Sequence, residues 1–438
     1  MTSTAMLTDH YELTMLQASL ESGAASRRSV FELFARRLPG GRRYGVVAGI
    51  GRVLDAIERF RFGPEELEWL RAHQVVDETT LDFLASYRFS GDVWGYPEGE
   101  TYFPHSPVLV VESSFAEAVL LETLVLSILN HDSAIASAAS RMIVAAGDRP
   151  CIEMGSRRTH EEAAVACARA AYVAGFATTS NLEAGRRHGI PTAGTSAHSF
   201  TLLHDTETDA FRAQIRSLGR GTTLLVDTYD VAEAVALGVE LAGPELGAVR
   251  LDSGDLGVLA QQVRTQLDSL GATGTRIVVT SDLDEYAIAA LAAAPVDSYG
   301  VGTQLVTGSG HPTCGFVYKL VAHQDDSGRW VDVAKKSKDK ESLGGRKHAL
   351  RRVVDGVAEA EVIAVGAPPA AAHDDAPITT GERLLLVPLV RGGETVSAEP
   401  LERARARRAR SVAELPMRGR QLQKGDPAIP VELPHQRA

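Results

Sequence analysis

The chain has 438 residues, 44% hydrophobic and 23% charged, which suits a globular protein of two or three packed units and argues against disorder. Its 45 basic and 56 acidic residues leave a net charge of −11, which argues against nucleic acid or an anionic membrane as a partner. Three scattered cysteines (Cys151, Cys167, Cys314) are too few for a disulfide framework or a four-ligand zinc site, and they fit a reducing compartment.

The opening MTSTAMLTDHYELTM lacks a basic stretch followed by an apolar core, so no secretory signal is read and a cytoplasmic protein is expected. Residues 1–130 mix helical patterns (9–22, 48–60, 64–73, 115–130) with strand patterns (28–36, 92–96, 109–112), an N-terminal α+β domain. The most apolar stretch, 116–129, carries Glu117 and Glu122. Its length and charges predict a buried amphipathic helix, not a membrane span.

From residue 150 a rhythm begins. Apolar runs end in polar or glycine clusters, and helical patterns follow them: PCIEMGSRR, AGFATTSN, PTAGTSAHSF, TTLLVDTYD, GAVRLDSGD, RIVVTSDLD and VDSYGVGTQ. The patterns between them cover 161–173, 182–188, 209–218, 231–241, 256–270 and 285–293. Alternating β and α predicts a parallel sheet clothed in helices. The fold class expected is α/β: an irregular (β/α) barrel over 131–350, packed against the N-terminal domain, which C-terminal segments complete. An open doubly wound sheet is the alternative. Beyond residue 310, segments 316–321, 330–336 and 384–390 read as strands, and 366–381 as a mobile loop within a C-terminal extension, 351–438. The basic run LERARARRAR (401–410) reads as a solvated helix or, alternatively, an anion patch.

In a parallel barrel all strand C-termini share one face, so residues far apart in sequence converge there. The run ends carry Arg157, Arg158, Asn181, His198, Asp227, Asp230, Arg250, Asp252, Asp255, Asp282 and Gly302. The plain alternative for each acid is a helix N-cap, which suits Asp255 well and Asp252 less well. His198 in GTSAHSF would neighbour Asp227 of the next strand. A carboxylate beside an imidazole orients it as a base or nucleophile. Asp252, on a glycine turn, can accept two vicinal hydroxyls such as those of a ribose. Gly300 and Gly302, followed by Thr303, leave backbone N–H groups bare for an anion. Ser281 and Asp282 lie one strand earlier. TSDLDE lacks the paired acids and glycine of type I phosphoribosyltransferases, and that family is rejected. Arg157 can fork onto phosphate or carboxylate, and the Asn181 amide can donate to a carboxylate. Tyr11 sits in TDHYELTM, at a helix start.

Taken together, TDHYELTM, EMGSRRTH, TSN-LEAG, GTSAHSF, DTYD, RLDSGDL, TSDLDE and YGVGTQLVT closely resemble the nicotinate phosphoribosyltransferases, of the type II phosphoribosyltransferases. The resemblance runs in order to about Lys347 and is less clear beyond Gly366. It implies joining nicotinate to phosphoribosyl diphosphate, giving nicotinate mononucleotide and diphosphate in NAD salvage. It further implies Mg²⁺ and coupled ATP hydrolysis through a phosphorylated histidine. That role falls on His198, with Asp227 as its orienting partner and Asp252 as the ribose ligand. Arg157 is implied as a diphosphate or carboxylate contact, and Arg250 as a base or phosphate contact. Ser281, Asp282, Gly302 and Thr303 are implied as the 5′-phosphate cradle. Tyr11 is implied to stack on the pyridine ring across the interface of a homodimer with shared sites. The Mg²⁺ ligands are left unassigned. Related nicotinamide enzymes carry a carboxylate where this chain has Asn181, which favours nicotinate; nicotinamide or quinolinate transfer and a non-catalytic nucleotide-binding barrel are the alternatives. Two departures stand out. No cysteine follows Cys314, and Met154 occupies a position where relatives place an aromatic ring.

Overall fold

The computed structural model describes residues 2–335, 343–366 and 378–434. The chain forms two compact units: Met1–Ser137 with His311–Ala438, and the continuous segment Ala138–Gly310.

The first unit is built on a seven-stranded sheet. Its centre is Arg28–Ala35, flanked by Leu109–Ser114 and Phe316–Gln324, both antiparallel to it. That second pairing corrects the expected boundary at 350. Phe316–Gln324 registers Leu33 on Tyr318 and Phe31 on Leu320, so the chain rejoins the first unit from His311. Nor is 351–438 a separate extension. Lys347–Val354 forms a hairpin with Val357–Val365, Gly381–Leu384 adds to it, and Val387–Arg391 pairs with Asp92–Gly95. Of the expected loop 366–381, residues 367–377 lie outside the described residues.

The helix expected over 115–130 is a short turn, Phe115–Val119, followed by Glu122–Ala146. Asn130, His131 and Asp132 lie within the second of these helices, and they and the serines after them serve tertiary bonds. Ser133 Oγ and Ser137 Oγ accept from the backbone N–H groups of Ala48 (3.1 Å) and Val46 (2.9 Å), and Asp132 accepts from Arg52 (2.7 Å). The stretch Phe115–Ala146 is long and apolar enough to cross a membrane, but most of it is buried. Leu120, Leu121, Leu124, Val125 and Leu129 belong to the first unit's core. The basic helix Leu401–Ala413 is neither solvated throughout nor an open anion patch: Arg407 and Arg408 are buried, and Arg407 donates to Glu399 at 2.7 Å.

The first unit also holds a buried ionic network. Arg351 donates to Glu361 (2.8 Å) and to Thr101 O (2.9 Å), and Arg383 bridges Glu100 (2.7 Å) and Glu414 (2.9 Å). Burial would raise the Glu100 carboxyl, but the guanidiniums of Arg383 and Arg351 hold it well below the usual range.

The second unit carries a parallel sheet in the order Thr178–Thr179, Cys151–Glu153, Ser298–Val301, Arg276–Ser281, Ala248–Leu251, Thr223–Leu225. A single bridge from Thr179 to Thr192 adds the third run at the Thr178–Thr179 edge. Numbered along the chain, the seven runs then stand 3-2-1-7-6-5-4. This is the cyclic order of a closed barrel, with no ladder between the third and fourth runs. The sheet is thus a curled half-barrel, irregular at one seam, in a mixed α/β fold. Helices follow the strands, each opened by a side-chain cap where the sequence supplied one: Asn181 for Leu182–His188, Asp230 for Val231–Ala242, Asp255 for Leu256–Ser269 and Asp284 for Glu285–Ala290.

Candidate functional site

Those caps sort the acids at the strand ends. Asp230 and Asp255 spend a side-chain oxygen on helix N–H groups, whereas Asp227 and Asp252 cap nothing. Ten of the eleven candidate residues belong to the second unit; Tyr11 belongs to the first.

His198 opens the helix His198–Leu203, just past the third run, and Asp227 ends the fourth. No backbone ladder joins these runs, yet the imidazole meets the acid: Nε2 lies 3.8 Å from Asp227 Oδ1 and 4.0 Å from Asp252 Oδ2. The other ring nitrogen, Nδ1, is 3.1 Å from Thr228 Oγ1. The imidazole is 40% exposed and the Asp227 side chain only 4%. Asp227 Oδ2 accepts from Asp252 N (2.9 Å) and Ser253 Oγ (2.7 Å), while its buried Oδ1 has no hydrogen-bond partner. A buried acceptor left open is costly. Here it faces the imidazole of His198.

Asp252 is held from two sides. Its Oδ1 accepts from Thr280 Oγ1 and from Arg250 Nη2 (3.2 Å). Burial pushes this carboxyl up, but Thr280, Arg250 and His198 together bring it below its ordinary range, so it stays ionised. Its Oδ2 remains free to take a ligand. Arg250 is heavily committed: it donates also to Thr280 Oγ1 (3.0 Å), Thr195 Oγ1 (2.8 Å) and Ser196 O (3.1 Å). It ties the segment before His198 to the strands that carry Asp252 and Thr280.

Arg157 lies in the turn Ser156–Arg158 after Cys151–Glu153; it is exposed, with no side-chain partner among the described residues. The turn is seated on the neighbouring strand end. A Cβ on Gly155 would fall 2.2 Å from Val306 Cγ1 and 3.2 Å from Gly302 O. Gly300 is also hemmed in, since Thr280 Cγ2 (2.4 Å) and Met154 Sδ (2.7 Å) occupy the place of its missing Cβ. Met154 therefore packs on the sheet end next to Gly300. Ser281 and Asp282 are exposed at the end of Arg276–Ser281, and Gly302 precedes the turn Thr303–Val306. Asn181 caps its helix through Oδ1 and donates Nδ2 to Ser156 Oγ at 3.0 Å.

Tyr11 lies on the helix His10–Glu21 of the first unit and is 45% exposed. Partial burial and the charges of Glu122 and Glu12 push its phenol up to about 12. Sequence reasoning missed Thr280, Thr228 and Glu153. The first two are hydroxyls inside named motifs, TSDLDE and DTYD, where the neighbouring acids drew attention instead.

An imidazole, two carboxyl groups and an open guanidinium at the strand ends of a half-barrel make a set that suits a transferase handling a sugar phosphate. The comparisons make it specific. The nicotinate phosphoribosyltransferase (NAPRTase) N-terminal domain family matches residues 6–130. A nicotinate phosphoribosyltransferase of Mycobacterium tuberculosis (strain ATCC 25618 / H37Rv) is 58% identical over 435 residues, covering 97% of this chain and 94% of the relative. One of Bacillus subtilis (strain 168) is 37% identical over 360 residues, covering 80% of this chain and 73% of the relative. The crystal structure of human nicotinic acid phosphoribosyltransferase superposes with a TM-score of 0.81 at 26% identity, covering 97% of both chains. The chain belongs to the nicotinate phosphoribosyltransferase family, and it is a transferase of NAD biosynthesis.

Proposed function

We propose that the chain joins nicotinate to phosphoribosyl diphosphate, and that ATP hydrolysis is coupled to this step through a phosphorylated His198. The observation that carries the reading is the buried, unpartnered Asp227 Oδ1, 3.8 Å from His198 Nε2. An imidazole that attacks a phosphoryl group becomes cationic at its far nitrogen, and a fixed carboxylate stabilises that charge. Asp252 Oδ2 is free and ionised, which suits ribose hydroxyls and opposes the positive charge that develops at the anomeric carbon during displacement. The exposed Ser281 and Asp282 and the half-buried Gly302 and Thr303 supply hydroxyl and backbone groups for the 5′-phosphate. Arg157 offers an uncommitted fork for an anion, whereas Arg250 acts chiefly on its neighbours.

Mg²⁺ would be held chiefly by substrate phosphates, with the free Asp252 Oδ2 as a hard oxygen donor beside the ribose hydroxyls; among the described residues no set of three or more His, Cys, Asp or Glu forms a metal cage. Bound there, the ion would neutralise the leaving diphosphate. The same reading makes Tyr11 the pyridine-stacking ring of a homodimer with shared sites, in a cytoplasmic enzyme.

The test is nicotinate mononucleotide formation with and without ATP, with γ-labelled ATP to follow the enzyme. His198→Ala should abolish ATP hydrolysis and acid-labile labelling and leave a slow ATP-independent transfer. Undiminished labelling in that variant would refute the role of His198.

A further inference from the structure

Between the first and second strands of the half-barrel lies a closed ring of hydrogen bonds that none of the roles above uses. Glu153 ends the strand Cys151–Glu153 with its side chain 1% exposed. One carboxylate oxygen accepts from Gly155 N, the other from Thr179 Oγ1. Thr179 Oγ1 accepts in turn from Asn181 N at 2.9 Å. Asn181 Nδ2 donates to Ser156 Oγ at 3.0 Å, and Ser156 follows Gly155. The buried acid therefore sets two loops at once: the turn that carries Ser156 and Arg157, and the segment that carries Asn181.

The ring also fixes the sense of the Asn181 amide. Its Oδ1 accepts from Ala184 N at 2.8 Å, and a backbone N–H can only donate. The nitrogen end must then face Ser156. One of its N–H bonds goes to Ser156 Oγ; the second has no partner among the described residues. Ser156 Oγ is an acceptor in that bond, so its own proton is left to give, and no described residue takes it. With the exposed guanidinium of Arg157 beside it, this corner of the rim presents several donors against the one remaining lone pair of Ser156 Oγ.

We propose that Ser156 is a selectivity residue: its hydroxyl, aimed by the Glu153 ring, donates to the carboxylate of the pyridine acid together with Asn181 and Arg157. This rests on the reading that nicotinate is the acceptor. A carboxylate satisfies three donors. A carboxamide at the same place brings two N–H groups of its own against a single remaining lone pair on Ser156 Oγ, and accepting there turns the serine away from its donor role; unpaired polar groups are what a site rejects most strongly. Glu153 is a positioning residue in this arrangement, since it touches no substrate.

The experiment compares the full-length protein with Ser156→Ala, Ser156→Thr and Glu153→Gln. Rates are measured on nicotinate and on nicotinamide at saturating phosphoribosyl diphosphate and ATP. Ser156→Ala should raise KM for nicotinate about tenfold or more, the value of a hydrogen bond to a charged group. KM for phosphoribosyl diphosphate should stay essentially unchanged, and the preference for nicotinate over nicotinamide should fall by a similar factor. Ser156→Thr keeps the hydroxyl and should restore both. Glu153→Gln must turn an N–H toward Gly155 N or Thr179 Oγ1; it should raise KM for nicotinate while KM for phosphoribosyl diphosphate again holds. An active Ser156→Ala with unchanged preference overturns the proposal. So does an equal loss on both pyridines that Ser156→Thr fails to restore, which would make the serine a part of the fold alone. A wild-type protein that makes no nicotinate mononucleotide overturns the reading of the reaction itself, and is told apart from either result by the unmutated control.

Discussion

The two units use charge in opposite ways. In the first, Arg351, Arg383, Glu100, Glu361 and Glu414 lie out of solvent, and each charged group spends itself on another: Arg351 on Glu361 and Thr101, Arg383 on Glu100 and Glu414. In the second, the strand-end groups stop short of completion. His198 stands 3.8 Å from Asp227, Asp227 Oδ1 has no partner, Asp252 keeps one oxygen free, and Arg157 reaches into solvent. In the first network every ion faces a counter-ion, although Arg351 Nε, Arg383 Nε and Glu414 Oε1 make no hydrogen bond among the described residues; at the strand ends the Arg157 guanidinium faces no carboxylate and Asp252 keeps an oxygen open.

That contrast can be broken from either side. The largest effect is expected from Arg351→Met, which strands Glu361 without its cation and leaves Glu100 to Arg383 alone. It should cost about 3–5 kcal/mol in urea unfolding, with the nicotinate preference of the folded protein unchanged. A loss well under 1 kcal/mol would show that the network is not structural. On the other side, Asp227→Asn can keep an oxygen on Asp252 N and Ser253 Oγ while turning an amide toward the imidazole. ATP-coupled transfer should slow roughly 100-fold, with a melting temperature near that of the wild type. The reverse pattern, a stability loss with normal turnover, would move Asp227 into the first class.

The smallest effect sharpens the comparison inside the first unit, at an acid that is buried without a cation. Burial raises Glu12 from 4.5 to about 7, against hydrogen bonds from Thr123 and Thr8. The folded chain then holds a proton that the unfolded chain has released between these two values. Stability should therefore fall as pH rises through this window. Glu12→Gln removes the titration. It should melt with the wild type near pH 5 and about 2–4 °C above it near pH 8. Equal melting at both pH values would show that Glu12 is ionised in the fold throughout.

How much of this was legible in the sequence depended on what kind of pattern each part makes. The parallel runs were readable because each ends in a turn and is followed by a helical period. His198, Asp227 and Asp252 were readable because they sit at those ends. The hairpin Lys347–Val354 and Val357–Val365 was not, because Arg351 and Glu361 break its apolar alternation; they point into the unit and satisfy each other there. Glu153 was hidden for a similar reason. An acid inside CIEM reads as the polar end of a strand, and only the fold shows that it is buried and tied to Gly155 and Thr179. The unit boundary was missed because a partner strand nearly three hundred residues away leaves no local mark.

That distance also has a consequence for synthesis. Ser29 waits for His323, and the strand Asp92–Gly95 waits for Val387–Arg391, while all of 138–310 is translated in between. At a ribosomal pace of about 5–20 residues per second, the interval before Ser29 meets its partner is roughly 15–60 s. Throughout it the nascent three-stranded piece of the first sheet has both flanks uncovered, and the inserted segment has time to close first. The half-barrel can thus mature on the ribosome ahead of the unit whose sequence begins the chain.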